Sequence, residues 1–221
     1  MPDLAPLWLT LHLALVTTAI LLVVGTPVAW WLARSSSRLR VPVEAVTALP
    51  LVLPPTVLGF YLLILMSPTS TLGSFWVTLT GNSLTFSFSG LVIASVIYSL
   101  PFMVQPLASA FDAVGRPTLE AAASLRASPV DTFFSVVVPQ SARGFLTAIV
   151  LTFVHTIGEF GVVLMVGGNI PGETRVISIA IYEQVEMLDY HDAHILSVGL
   201  LVFALIALLI TYGFGGRRRV G

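Results

Sequence analysis

Cysteine and lysine are both absent from this chain of 221 residues, and charged residues of either sign are scarce. Without cysteine the chain has no disulfide, no thiolate nucleophile and no metal site with sulfur ligands. Without lysine it lacks the residue that contacts nucleotide phosphates in a P-loop, so the chain itself is not a P-loop ATPase. No other catalytic constellation is apparent, and we expect neither enzyme activity nor a cofactor.

Apolar residues dominate what remains. They make up 56% of the chain and charged residues only 10%, whereas about 25% of a soluble domain is charged. A bilayer core requires about 20 helical residues, and five stretches are long and apolar enough: 7–33, 42–66, 88–111, 143–167 and 192–214. We therefore predict an all-α fold, an integral membrane bundle of five transmembrane helices forming a single domain over residues 1–221.

The positions of the arginines predict the orientation. Three of the ten lie in 34–40, three in 113–143 and three in 217–219, which leaves Arg175 alone elsewhere. Short positive loops stay on the cytoplasmic side of a membrane. The amino terminus is then outside and the carboxyl terminus cytoplasmic, with 217–219 near anionic lipid rather than nucleic acid. The first apolar stretch follows an acidic start, and we interpret it as a retained helix.

Residues 168–191 form one of two predicted outward connections; the other is 67–87. Apolar side chains recur there at helical spacing, which predicts a short helix. They are Ile177, Ile181, Val185 and Leu188. The region runs into DYHDAH, in which His191 and His194 resemble a pair of metal ligands. No further His or Cys supports a site, so we expect a solvated helix end and no metal.

A polar segment, residues 113–142, separates the third and fourth apolar stretches. Thr118 can cap a helix with Glu120 in its first turn, near the positive end of the helix dipole. A second helix start combines an N-cap, a proline and an acidic residue. These are Ser128, Pro129 and Asp131. The pattern predicts two short helices with a turn near Arg126, closed by Pro139.

The polar segment also has a predicted surface. Three consecutive alanines, 121–123, leave a smooth face that another protein could approach, while Phe133, Phe134 and Val137 suit burial against the membrane helices. A binding surface in the cytoplasm is one interpretation, because loops often carry function. An ordinary connector between two helices is the other.

Prolines interrupt the second apolar stretch at Pro50, Pro54 and Pro55. Each removes a backbone donor, and the freed carbonyls must be satisfied by protein or water. A helix that lines a pathway and a simple packing kink both fit this pattern. Pro101 and Pro106 predict a kink in the third stretch.

Glu159 is an acidic residue deep within the fourth apolar stretch. A carboxylate there costs about 2.5–3.5 kcal/mol unless it is paired or hydrated. His155 lies four residues earlier, on the same helical face, and we predict that the two form an intramembrane pair. A fixed anion is a poor ligand for another anion, so a structural or gating role is expected.

The polar segment resembles the EAA motif of ABC importer permeases. The matching residues are Glu120, Ala121, Ala122, Val136, Val138 and Pro139, and Arg126 stands where the motif has glycine. In that family the motif forms a coupling helix that docks on a cytoplasmic ATPase. The resemblance implies coupling roles for Glu120, Ala121, Ala122, Arg126, Ser128 and Pro129.

Three further motifs extend the resemblance to the molybdate ABC transporter permeases, which have the type I importer fold. They are LPLVLPPTVLG at 49–59, GEFG at 158–161 and NIPGETR at 169–175. The family commonly has arginine where this chain has His155. The resemblance implies pathway or gate roles for Pro50, Pro54, Pro55, Gly59, Gly158, Glu159 and Gly161.

The family further implies a homodimer in the cell inner membrane, two cytoplasmic ABC ATPase subunits that supply the energy, and an extracytoplasmic binding protein that delivers the oxyanion. The expected function is the permease step of ATP-driven molybdate import. The same importer carrying tungstate or sulfate is the nearest alternative. A secondary transporter or channel, or a purely structural membrane subunit, would need no ATPase.

Overall fold

The computed structural model describes residues 4–215, so the predicted lipid contact of 217–219 lies outside the described residues. Regular structure within that range is helical. The helices are α1 (Ala5–Arg34), α2 (Arg40–Val52), α3 (Pro55–Met66), α4 (Thr71–Thr80), α5 (Phe88–Ala113), α6 (Arg116–Ser124), α7 (Pro129–Thr132), α8 (Val138–Gln140), α9 (Ala142–Gly158), α10 (Gly161–Gly167), α11 (Ile177–Glu186) and α12 (Tyr190–Gly215). A π-helical turn, Phe133–Val137, joins α7 to α8.

Helices α1, α5 and α9 form the centre of the bundle and pack against one another. The largest cluster of buried apolar side chains is formed mainly by α1, α5 and α9. Its buried members include Leu21, Leu32, Met103, Leu107, Phe111 and Ala148. Pro101 and Pro106 lie inside helix α5 and do not break it.

The second predicted span is two helices rather than one. Helix α2 ends at Val52 and α3 begins at Pro55, and their axes differ by 112°. Leu53 is extended and Pro54 caps α3, because a residue before proline disfavours the helical region. The two consecutive prolines therefore place the break where the sequence predicts it, but the bend is far larger than a kink.

The fourth predicted span is also interrupted. Helix α9 ends at Gly158, Glu159 is extended, and the short helix α10 begins at Gly161. Within residues 4–215, three helices are long and apolar enough to cross a membrane: α1, α5 and α12. Two bent helix pairs, α2 with α3 and Pro129–Gln140 with α9, bring the number of spans up to five if each pair counts as one. Five spans therefore agree with the predicted bundle, although the second is formed by two helices and the fourth is interrupted at Glu159.

The connection between α3 and α5 contains a helix that the sequence pattern did not predict. Ser70 caps α4 by accepting a hydrogen bond from the Gly73 amide at 2.9 Å, and Gly81 ends it with a positive φ of 74°. The predicted helix in 168–191 is present as α11, but it buries Ile177 and Ile179, whereas Leu188 is exposed beyond its end.

Candidate functional site

The break between α9 and α10 opens onto a cavity of about 570 Å³, which we call the break cavity. Its walls come from α3, α5, α9 and α10. Five residues singled out in the sequence line it: Pro55, His155, Gly158, Glu159 and Gly161. Most of its lining residues are apolar, and the Glu159 carboxylate is among them.

Two glycines bring α3 and α10 into close contact beside the break cavity. A Cβ atom on Gly59 would lie 2.8 Å from the Met165 Cβ, and one on Gly161 would lie 2.9 Å from the Pro55 Cβ. Both distances are too short for carbon atoms, so only glycine fits without movement of a neighbour. A Cβ on Gly158, which is one of the residues that line the break cavity, would meet nothing within 4 Å.

The other two predicted prolines lie near the break cavity but do not line it. Pro50 is buried inside α2, and Pro54 is the N-cap of α3, one residue before Pro55. Neither is among the residues of the cavity wall.

Glu159 is 4% exposed and joins three elements. Its Oε1 accepts a hydrogen bond from the Ser95 hydroxyl of α5. Its backbone carbonyl accepts one from the Ser178 hydroxyl of α11 at 2.6 Å. Its Oε2 has no hydrogen-bond partner among the described residues.

His155 has different partners. Its Nδ1 lies 2.9 Å from the Ser99 hydroxyl, which is also 3.0 Å from the Thr156 hydroxyl. The imidazole stacks on Phe102 with a centroid separation of 3.9 Å. The structure of residues 4–215 contains no ion pair or hydrogen bond between His155 and Glu159, so the predicted pair is not formed. The helix ends at Gly158, and the extended backbone of Glu159 removes the i, i+4 geometry on which the prediction rested.

Hydroxyl side chains that the sequence did not single out form the hydrogen bonds to Glu159 and His155. Ser95 and Ser99 of α5 and Thr156 of α9 are buried and hydrogen-bonded, whereas the buried Thr152 hydroxyl has no partner among the described residues. Hydroxyl groups commonly link helices inside membranes, where unpaired polar groups are costly. The available signal was the presence of serine and threonine within otherwise apolar stretches, at positions spaced by four.

The NIPGETR residues form a tightly bonded loop between α10 and α11. The Thr174 hydroxyl donates to the Gly167 carbonyl at 2.7 Å and accepts from the Ile170 amide at 3.1 Å. Arg175 donates to the Asn169 side chain at 2.6 Å and pairs with Glu183 of α11 at 2.9 Å. These contacts fix the far end of α10 relative to α11.

The polar segment contains the two predicted helix starts, one of them displaced. Helix α6 begins at Arg116 after an N-cap at Gly115, so Thr118 is inside the helix and is not its cap. Pro117 within the first turn accounts for the earlier start, since proline is favoured there. The Ser128 cap is confirmed: its hydroxyl accepts from the Asp131 amide at 3.1 Å. The chain continues helically through Pro139, which therefore does not close the element.

Arg126 adopts a left-handed conformation with φ of 58°. Its amide donates to the Ala123 carbonyl at 2.9 Å, and the Ala127 amide donates to the Ala122 carbonyl at 3.2 Å. These two bonds define a Schellman motif, in which the left-handed position is usually glycine. The turn therefore has the geometry that glycine favours although arginine occupies it.

The polar segment exposes an apolar surface around this turn. Leu125 is 84% exposed, Val130 67% and Phe134 65%. Phe134 was expected to be buried, and that prediction is wrong. Phe133 and Val137 do pack on the central cluster. The π-helical turn that holds these residues has more than 3.6 residues per turn, so neighbouring side chains do not share the face that an α-helix would give them.

The chain matches a known family over most of its length. Residues 25–216 match the family described as binding-protein-dependent transport system inner membrane component. The chain belongs to this family. Residues 116–140 and the residues of the break cavity all fall within the matched range.

Three relatives indicate the kind of transport system. The molybdenum transport system permease protein ModB of Azotobacter vinelandii is 57% identical over 95% of this chain and 93% of the relative. ModB of Escherichia coli K12 is 32% identical over 93% of this chain and 92% of the relative. The sulfate transport system permease protein CysT of a Synechocystis species is 36% identical over 85% of this chain and 65% of the relative.

A solved structure supports the fold. The MetNI methionine ABC transporter, in inward-facing conformations, matches with a TM-score of 0.71 over 95% of this chain and 92% of that chain, at 17% identity. The predicted class, an all-α membrane bundle with the fold of an ABC importer permease, is therefore confirmed. In the described range, no group of three or more His, Cys, Asp or Glu side chains could hold a metal ion.

Proposed function

We propose that this chain is the permease subunit of an ATP-driven importer of molybdate. The observation that carries the proposal is the 57% identity to a molybdenum transport permease over 95% of the chain. The sulfate permease relative is 36% identical and is matched over only 65% of its length. Tungstate and sulfate are therefore less supported cargoes.

The energy is proposed to come from two cytoplasmic ABC ATPase subunits, one on each half of a permease homodimer. The polar segment is the proposed docking surface, with Glu120 and Ala121 exposed in the middle of α6, Arg126 in the turn after it, and Ser128 and Pro129 at the start of α7. Ala122, expected on the same face, is buried within the chain and is not available to a partner. The exposed Leu125, Val130 and Phe134 of the polar segment support this assignment. Exposed apolar side chains grouped on one segment are typical of a protein interface.

The proposed orientation has the amino terminus outside and the polar segment in the cytoplasm. The Arg34 guanidinium, at the end of α1, donates to the Phe111 carbonyl near the end of α5 at 3.1 Å. This contact supports the same side for both helix ends, and the arginines clustered beyond each make that side cytoplasmic. The extracytoplasmic oxyanion-binding protein then meets the opposite face, which includes α4 and the NIPGETR loop.

The break cavity is proposed to belong to the gate of the pathway. Pro50, Pro54 and Pro55 set the direction of α3, Gly59 and Gly161 pack it on α10, and Gly158 and Glu159 form the break. The Glu159 carboxylate in the cavity wall favours a gating role over a resting site for an anion.

The test is uptake of radiolabelled molybdate by proteoliposomes that contain the permease, its ATPase and its binding protein. ATP-dependent uptake that tungstate or sulfate inhibits only weakly would support molybdate as cargo. Glu120→Lys reverses an exposed charge in the docking surface, so it should lower ATPase co-purification and uptake severalfold. Glu173→Lys, the same change in the NIPGETR loop, should leave ATPase co-purification unchanged.

Two results would contradict the proposal. Uptake that persists without any ATPase would indicate a channel or secondary transporter. Strong preference for sulfate over molybdate would change the cargo but retain the importer.

A further inference from the structure

The end of α9 leaves backbone carbonyl groups that need hydrogen-bond donors inside the bundle. A helix that terminates leaves its last carbonyls without intrahelical donors, and a membrane supplies no water to replace them. Helix α9 ends at Gly158, within the apolar part of the chain. The Ser178 hydroxyl supplies one of the missing donors, because it donates to the Glu159 carbonyl at 2.6 Å.

Glu159 is also held by a hydrogen bond from α5. The Ser95 hydroxyl of α5 donates to the Glu159 carboxylate. Helix α5 packs against α1, α2, α9 and α10 and is the most embedded part of the bundle. Glu159 is thus bonded to the centre of the bundle through its side chain and to α11 through its backbone.

Helix α11 is attached to both ends of α10. Ser178 reaches the break that precedes α10, and the Arg175–Glu183 ion pair together with Thr174 fixes the loop that follows it. Helix α11 is itself tied to α1, because the Ile177 amide donates to the Thr10 hydroxyl at 2.8 Å. A displacement of α11 would therefore act on α10, which forms one wall of the break cavity.

We propose that Ser178 is a positioning residue for transport: its hydroxyl holds the α9–α10 break against α11, so that α11 and the wall of the break cavity move together. The proposal rests on the proposed function in one respect, the assumption that the cavity wall moves during transport. Loss of the hydroxyl should loosen the break and weaken the link between ATP hydrolysis and uptake.

The experiment measures exposure of the break directly. Gly158→Cys places a thiol at the end of α9, beside the break cavity, where a new Cβ meets nothing within 4 Å. The native chain has no cysteine, so labelling of the permease band by a small maleimide reports this position alone. In this background, Ser178→Thr and Ser178→Val compare side chains of the same shape that differ in a hydroxyl. The assembled transporter in proteoliposomes is used throughout.

Ser178→Val should label roughly three- to tenfold faster than the parent, the range expected from losing one net hydrogen bond, and Ser178→Thr should label at the parent rate. In the cysteine-free background, Ser178→Val should also lower molybdate taken up per ATP hydrolysed, and Ser178→Thr should restore it. If the valine variant does not assemble, Ser178→Ala serves in its place.

Equal labelling of the Thr and Val variants would overturn the proposal. So would a loss of uptake in Ser178→Val that is fully explained by less assembled transporter, with the uptake per ATP unchanged. Failure of the proposed function is distinguishable, since it would appear as absent ATP-dependent uptake in the native protein while the labelling comparison could still succeed.

Discussion

Arg126 occupies a position of the helix-ending turn that glycine usually fills. For a residue with a Cβ, the left-handed conformation costs about 1–2 kcal/mol, and Arg126 has φ of 58°. Glycine removes that cost but loses about 0.5–1 kcal/mol of conformational entropy on folding. We therefore expect Arg126→Gly to raise the stability of the turn by roughly 0.5–1 kcal/mol and to keep ATPase docking intact.

The measurement is thermal unfolding of the purified permease, together with ATPase co-purification. Arg126→Ala is the matched control, because it removes the same charge but retains the Cβ and its strain. A gain in the alanine variant equal to that of glycine would show that charge, rather than backbone conformation, limits stability at this turn.

The sequence was sufficient to single out Glu159 at the candidate site, but not to predict its hydrogen-bond partners. Glu159 was recognisable because an acidic residue in an apolar stretch needs partners. Its partners, Ser95 and Ser178, lie 64 and 19 residues away in sequence. The predicted partner His155 depended on a continuous helix, and spacing along a sequence cannot reveal that the helix ends at Gly158.

At the scale of elements, the contact between α3 and α10 determines one wall of the break cavity. Gly59→Ala would place a Cβ 2.8 Å from the Met165 Cβ and 3.2 Å from the Val162 Cα. Because one of these atoms belongs to the backbone, the helices must separate slightly. We expect a loss of about 1–3 kcal/mol in the free energy of unfolding.

Gly158→Ala is the matched control for that prediction, since its Cβ would enter open space. Thermal unfolding of both variants in detergent gives the comparison without ATP or partner proteins. If Gly158→Ala proved as destabilising as Gly59→Ala, close packing of α3 on α10 would not be the cause.

The long helices were predictable from apolar length alone, because α1, α5 and α12 each exceed what a bilayer requires. The broken elements were not. Pro54 and Pro55 indicated an interruption, but neither the 112° between α2 and α3 nor the packing of α3 on α10 could be read from them. Helix α4 was missed because its Ser-, Thr- and Gly-rich sequence is typical of a loop, although Ser70 provides a good cap.

At the scale of the whole molecule, the large exposed apolar surface fits a chain surrounded by lipid. Helix α12 illustrates this, since only 6% of its most apolar 18-residue stretch is buried within the chain. Two polar regions interrupt this surface at separate places, the polar segment around α6 and α7 and the NIPGETR loop before α11. An importer needs contact with a partner on each side of the membrane, and these regions are the candidates for the two contacts.

That arrangement predicts opposite accessibility of the two regions in intact cells. Ser36 and Ser124 are exposed positions on the proposed cytoplasmic side, and Thr80 and Glu173 are exposed on the proposed outer side. Because the chain has no cysteine, each can be replaced singly by cysteine without background. A membrane-impermeant maleimide should label the Thr80 and Glu173 variants in intact cells, and all four after the membrane is permeabilised. Labelling of Ser124→Cys from outside would place the polar segment away from the ATPase, and the coupling role of Glu120 would then have to be abandoned even if uptake itself remained ATP-dependent.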